Sequence, residues 1–204
     1  MRKLARFVVL AGLLMSLACV VALHVVRGDL PPLSHRLSEY ANGPFGWLMA
    51  TSFVTLSCAL AVLGALWARG GRNGWILPGV AVLASLGAVL SAVFETGGSA
   101  FSEAIHSRAS AFATIALVVL ALIWSLPIEL PQRPVVFAPV DAALAVTAVV
   151  LVGISSLLHE TRWTGLGQRA LWLILIAWLV RTTWRYPNVA SGGPQSRGVF
   201  TLRR

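Results

Sequence analysis

Phe45-Gly46-Trp47-Leu48-Met49-Ala50-Thr51-Ser52-Phe53-Val54-Thr55-Leu56-Ser57-Cys58-Ala59-Leu60-Ala61-Val62-Leu63-Gly64-Ala65-Leu66-Trp67 carries no charged side chain, with Pro44 in front and Arg69 behind. At about 1.5 Å per residue this run is long enough, as a helix, to cross a hydrocarbon core of ~30 Å. Five further apolar runs of that kind flank it, bounded by Pro, Gly or charge: Phe7 to Val26, Trp75 to Glu95, Ala109 to Leu126, Val140 to Leu158 and Leu166 to Trp184. The sequence therefore predicts an all-α fold, a polytopic transmembrane bundle of six helices occupying residues 1–186, followed by a disordered basic tail over 187–204.

Composition agrees. Of 204 residues 57% are hydrophobic and 11% charged, with a mean hydropathy of +0.81, more apolar surface than a water-soluble domain hides in one core. The net charge of +9 is clustered at segment ends and forms no helical stripe. No nucleic-acid-binding motif accompanies it, so nucleic acid is not an expected partner. Cys19 and Cys58 both lie inside apolar runs and read as small buried hydrophobes rather than as a disulfide or thiolate site. Six of the eight tryptophans, Trp47, Trp67, Trp75, Trp124, Trp163 and Trp184, fall at or just beyond run ends, where an amphipathic ring suits the headgroup layer.

The sixteen Lys and Arg residues set the orientation. With the N-terminus inside, eleven lie on the cytoplasmic side and five, Arg27, Arg36, Arg108, Arg162 and Arg169, outside. The positive-inside rule then predicts both termini in the cytoplasm and a multi-pass protein of a bacterial plasma membrane. A cleaved signal peptide ending near Ser16-Leu17-Ala18-Cys19 competes for the first run. That run continues past the site and is long enough to span, which favours a retained helix.

The same topology gathers the chemistry on one face. His24, His35, His106 and His159 all fall on the outer side, with Asp29, Glu39, Glu95, Glu103 and Glu160. Helical spacing aligns Gly87, Ser91 and Glu95 on the third helix, Gly12, Ser16 and His24 on the first, and Ala148, Ser155 and His159 on the fifth. Small-residue stripes let helices approach closely, so ionisable groups at their ends converge on the outer mouth of the bundle. His106, His159 and Glu95 are the candidate metal ligands, or an acid/base set, although their spacing matches no zinc motif. No cofactor is assignable. Asp141, after Pro139, reads as a helix-start residue favoured by the dipole, and Arg181 as a side chain snorkelling to the inner surface.

Three stretches resemble a known family. Leu37-Ser38-Glu39-Tyr40-Ala41-Asn42-Gly43-Pro44-Phe45-Gly46-Trp47-Leu48-Met49 is similar to the first outer loop and second-helix entry of the membrane family catalogued as domain of unknown function 998. Val93-Phe94-Glu95-Thr96, with His106 at the next helix, looks like its Phe-Pro-Thr-Asp segment and later histidine. Here Glu95 stands at the Pro position and Gly97 at the Asp position. Gly165-Leu166-Gly167-Gln168-Arg169, leading to Trp178, is similar to its last-helix pattern. The resemblance implies a six-helix bundle with an outer polar cluster of Ser38, Glu39, His106 and Arg169, and no activity. The candidate site is thus Ser38, Glu39, Glu95, His106, His159 and Arg169. The favoured function is binding of a lipid headgroup, small ligand or partner protein at this cluster. An intramembrane, metal-dependent lipid hydrolase or transferase is the alternative, and a small transporter the weaker one.

Overall fold

A computed structural model describes residues 2–68, 75–94, 96–125, 139–159 and 161–190. Among them are six α-helices and no strand: α1 (Arg2–Val26), α2 (Gly46–Ala68), α3 (Ile76–Val93), α4 (Ala100–Ser125), α5 (Pro139–Leu157) and α6 (Thr164–Ala190), plus a short 3-10 helix at Leu37–Ala41. The protein is an all-helical membrane bundle. Helices α1 to α5 are each long and apolar enough to cross a bilayer, whereas α6, which carries Gln168, Arg169, Arg181 and Arg185, is more polar.

Consecutive helices pack side by side and α6 returns against α1. With no hydrophobic drive between helices in lipid, close approach and interhelical hydrogen bonds do the joining. Ser16 Oγ lies 2.8 Å from Ser52 Oγ between α1 and α2. Between α2 and α3 the Ser57 and Ser85 hydroxyls lie 2.8 Å apart and each is within reach of the other's carbonyl, at 2.9 and 3.0 Å, so their two protons are shared among these acceptors. At Gly87 on α3, a Cβ would lie 2.8 Å from both the Ala109 carbonyl and the Ala113 Cβ of α4, so the small-residue stripe is where these two helices meet. Apolar side chains such as Val25, Leu157 and Phe101 point outward, as in a protein solvated by lipid.

Several elements differ from the sequence reading. α4 begins at Ala100 rather than Ala109, because the helix extends beyond its apolar run. Ser99 caps it by accepting from the Ser102 N–H at 3.2 Å, and Glu103 sits favourably in its first turn. His106 consequently lies within α4, not before it. α6 continues to Ala190, into the segment expected as a tail, while 191–204 lie outside the described residues. Trp67 and Trp124 are buried and stacked, with centroids 5.2 Å apart, instead of facing headgroups. Trp47, Trp75 and Trp184 are exposed as expected. Cys19 is buried, but Cys58 is exposed on the outer surface of α2. Asp141 is more than a helix starter. It is fully buried and accepts from Arg181 at 2.5 Å and Arg185 at 2.6 Å, tying α5 to α6, so Arg181 is paired rather than simply snorkelling.

Candidate functional site

The chain reversals leave the C-terminal ends of α1, α3 and α5 and the N-terminal ends of α2, α4 and α6 at one end of the bundle, together with all four histidines. The loop between α1 and α2 folds over this end and is anchored at both sides. Arg27, just after α1, donates twice to Asp29 at 2.9 Å and also to the backbone carbonyls of Tyr40 and Asn42. The guanidinium holds the Asp29 carboxyl below the usual carboxylate range, and Asp29 in turn raises Arg27. Tyr40 is buried and donates to the Leu30 carbonyl at 3.2 Å.

Under this loop lies a cavity of about 510 Å³, lined by the 3-10 segment, α4, α5 and α6. Its wall includes Ser38, Glu39, His106 and His159 of the candidate cluster, with Arg36, Asn42, Glu103, Ser110, Thr114, Ser155 and Gln168. A second, apolar chamber of about 90 Å³ runs between α2, α3, α4 and α6 among Met49, Phe53, Leu56, Trp172 and Leu175. The two share Ser38, Ser110, Thr114, Gln168 and Leu171. The site is therefore polar at the histidine-bearing end and apolar towards the middle of the bundle.

The histidines are held differently. His106 is buried, and its Nδ1 lies 3.0 Å from the Ser91 carbonyl and 2.7 Å from that of Phe94. Carbonyl oxygens only accept, so Nδ1 carries the proton. Phe53 meets its ring edge-on at 5.9 Å. His159 is exposed beyond the end of α5 and accepts from Arg36 Nη2 at 2.7 Å through Nε2, which bridges the loop to α5 across the cavity. Glu95 lies outside the described residues. Among the described residues no group of three or more His, Cys, Asp or Glu is placed to hold a metal.

Arg169 is not part of the cavity wall. Its Nε donates to His24 Nε2 at 2.8 Å and its Nη1 to the carbonyls of His35 at 2.6 Å and Gly165 at 3.0 Å, with Tyr40 beneath the guanidinium at 5.2 Å. His24 Nδ1 lies 2.7 Å from the Val20 carbonyl, which places the proton there and leaves Nε2 to accept. Arg169 thus fastens α6 to α1 and to the covering loop.

A family model described as Protein of unknown function (DUF998) matches residues 9–185. The chain belongs to the DUF998 family. No curated protein and no solved structure matches it. In this DUF998 chain the last-helix motif is an anchoring device. A Cβ on Gly165 would lie 2.3 Å from the carbonyls of both Pro32 and His35, so only glycine lets the loop rest there. Gln168 Oε1 accepts from the Leu37 N–H at 2.6 Å. The first-loop motif supplies the cavity's cover, with Leu37, Ser38 and Tyr40 buried. Thr96, after the position of Glu95, has its hydroxyl 3.0 Å from both the Ser38 carbonyl and the Asn42 side-chain oxygen, which share its one proton.

The sequence reading did not assign Ser110, Thr114, Gln168 or Arg36 to the cavity. A signal for two of them exists: His106, Ser110 and Thr114 recur every four residues. With α4 expected to start at Ala109, His106 was not on that helix and the stripe was invisible.

Proposed function

We propose that this DUF998 chain binds a polar lipid, with the headgroup in the chamber under the first loop and an acyl chain entering the apolar chamber below. What carries the reading is the adjacency of the two chambers, whose walls share Ser38, Ser110, Thr114, Gln168 and Leu171. A larger, hydroxyl-rich compartment lies against a smaller apolar one, which suits an amphiphile rather than a wholly soluble ligand. The upper volume falls within the range of ~300–1,000 Å³ typical of small-molecule sites. By the charge count this end faces outward in a bacterial plasma membrane, so the headgroup comes from the outer leaflet.

Purification in detergent without chelators, followed by mass spectrometry of co-purified lipids and metals, tests the proposal. Thr114→Trp, which places a large ring at a wall residue common to both chambers, serves as the comparison. A specific lipid at one per chain in the wild type, absent from a folded Thr114→Trp protein, supports lipid binding. Stoichiometric zinc that disappears in His106→Ala, with no retained lipid, replaces this reading with the metal-dependent enzyme.

A further inference from the structure

Two residues of the upper chamber's wall each carry a buried polar atom with no hydrogen-bond partner among the described residues: His106 Nε2 on α4 and Ser155 Oγ on α5. An unmade bond at a buried polar atom is costly, which makes both atoms the places where a ligand gains most. The His106 proton is committed to Nδ1 by two carbonyl oxygens. With the proton on Nδ1, the imidazole ring offers Nε2 as an acceptor, for which a ligand brings the donor. Ser155 takes either role.

The charges around these atoms narrow the chemistry further. Arg36 is the cationic side chain among the described wall residues, and it is already engaged with His159. Glu39 and Glu103 line the same chamber with no ion pair among the described residues. A phosphate would face two carboxylates across one occupied guanidinium. A quaternary ammonium has no proton to give to Nε2. A hydroxyl satisfies both open positions without adding charge.

Building on the lipid-binding proposal, we infer that the headgroup recognised is an uncharged polyol, a glycerol or sugar, which donates to His106 Nε2 and bonds the Ser155 hydroxyl, bridging α4 and α5.

Three probes with one acyl chain separate this inference from lipid binding itself: monoolein, methyl oleate, and oleoyl lysophosphatidate. Binding to the detergent-purified full chain is measured by native mass spectrometry. The expected order places monoolein roughly tenfold tighter than methyl oleate, the effect of one or two net hydrogen bonds, with lysophosphatidate weakest. His106→Asn keeps an amide donor for the Ser91 and Phe94 carbonyls but removes the Nε2 acceptor. It and Ser155→Ala should each weaken monoolein several-fold and leave methyl oleate unchanged. If His106→Asn does not fold, Ser155→Ala carries the test. Equal binding of all three probes overturns the headgroup assignment and leaves lipid binding standing, whereas binding of none removes both. Tightest binding of lysophosphatidate, or monoolein affinity indifferent to both substitutions, also overturns the assignment.

Discussion

Removing Asp141 and removing its two arginines should have unequal costs, although each change breaks the same ion pairs. Asp141 is 1% exposed, while the side chains of Arg181 and Arg185 are 36% and 29% exposed. In Asp141→Asn the arginines lose a charged partner but can still reach water or lipid headgroups, and the amide still accepts one bond. About 1–2 kcal/mol is expected for that loss of a charge-assisted bond in a half-exposed setting. Arg181→Ala with Arg185→Ala instead strands a carboxylate in the packed α5–α6 contact. Breaking a buried pair that way costs about 3–5 kcal/mol, and the N-terminal dipole of α5 offsets only a fraction of it. In thermal unfolding of the detergent-solubilised protein these figures correspond to roughly 2–8 °C against 6–20 °C. If the double arginine variant is as stable as Asp141→Asn, the carboxylate is not buried between α5 and α6 and the ion pairs do not hold the two helices together.

Gly87→Val should destabilise by about 1–3 kcal/mol through overpacking at α4, while Gly153→Ala, where a Cβ meets nothing within 4 Å, should be neutral or slightly stabilising by the same thermal assay. Arg169→Ala removes bonds to His24, His35 and Gly165 at once, so protease cleavage within residues 28–36 should accelerate. Arg169→Lys, unable to reproduce the forked geometry, should rescue it poorly. Asp29 contributes a pH-dependent increment. Its carboxyl is held below the usual range by Arg27, so its stabilisation is complete above about pH 4 and is lost as the pH falls through the lowered value. Melting curves of the wild type and Asp29→Asn should therefore converge towards pH 2 and separate slightly at pH 5.

The helical architecture was legible because a bilayer-crossing run announces itself by length and absence of charge, as Phe45 to Trp67 does. Features set by partners distant in sequence were not. Nothing near Asp141 marks Arg181 and Arg185 as its partners, and nothing near Trp67 marks Trp124. Arg169 illustrates the same limit. Its position at the outer end of α6 was readable, but its partners at His24 and His35 are given only by the return of α6 to α1. Apolar runs end where lipid ends, so the first turns of α4, capped by Ser99, are not legible in them; His106 is named as a candidate from its side of the membrane, but its place inside α4 is not. Ser38, Glu39, His106 and His159 do share a cavity wall, because reversals of a helical hairpin chain send alternate helix ends to the same side. The cavity itself lies between the covering loop and α4, α5 and α6, a juxtaposition that no local pattern encodes.

An amphiphile bound as proposed occupies the two adjoining chambers rather than coating the outside of the bundle. A lipid analogue bearing a diazirine near the start of its acyl chain, activated in vesicles containing the protein, tests this by mapping the labelled residues. Adducts concentrated at Ser110, Thr114 and Leu171, and lost in Thr114→Trp, are the predicted result. Labels confined to lipid-facing residues such as Phe7, Leu14 and Leu157, unchanged in that variant, would contradict it.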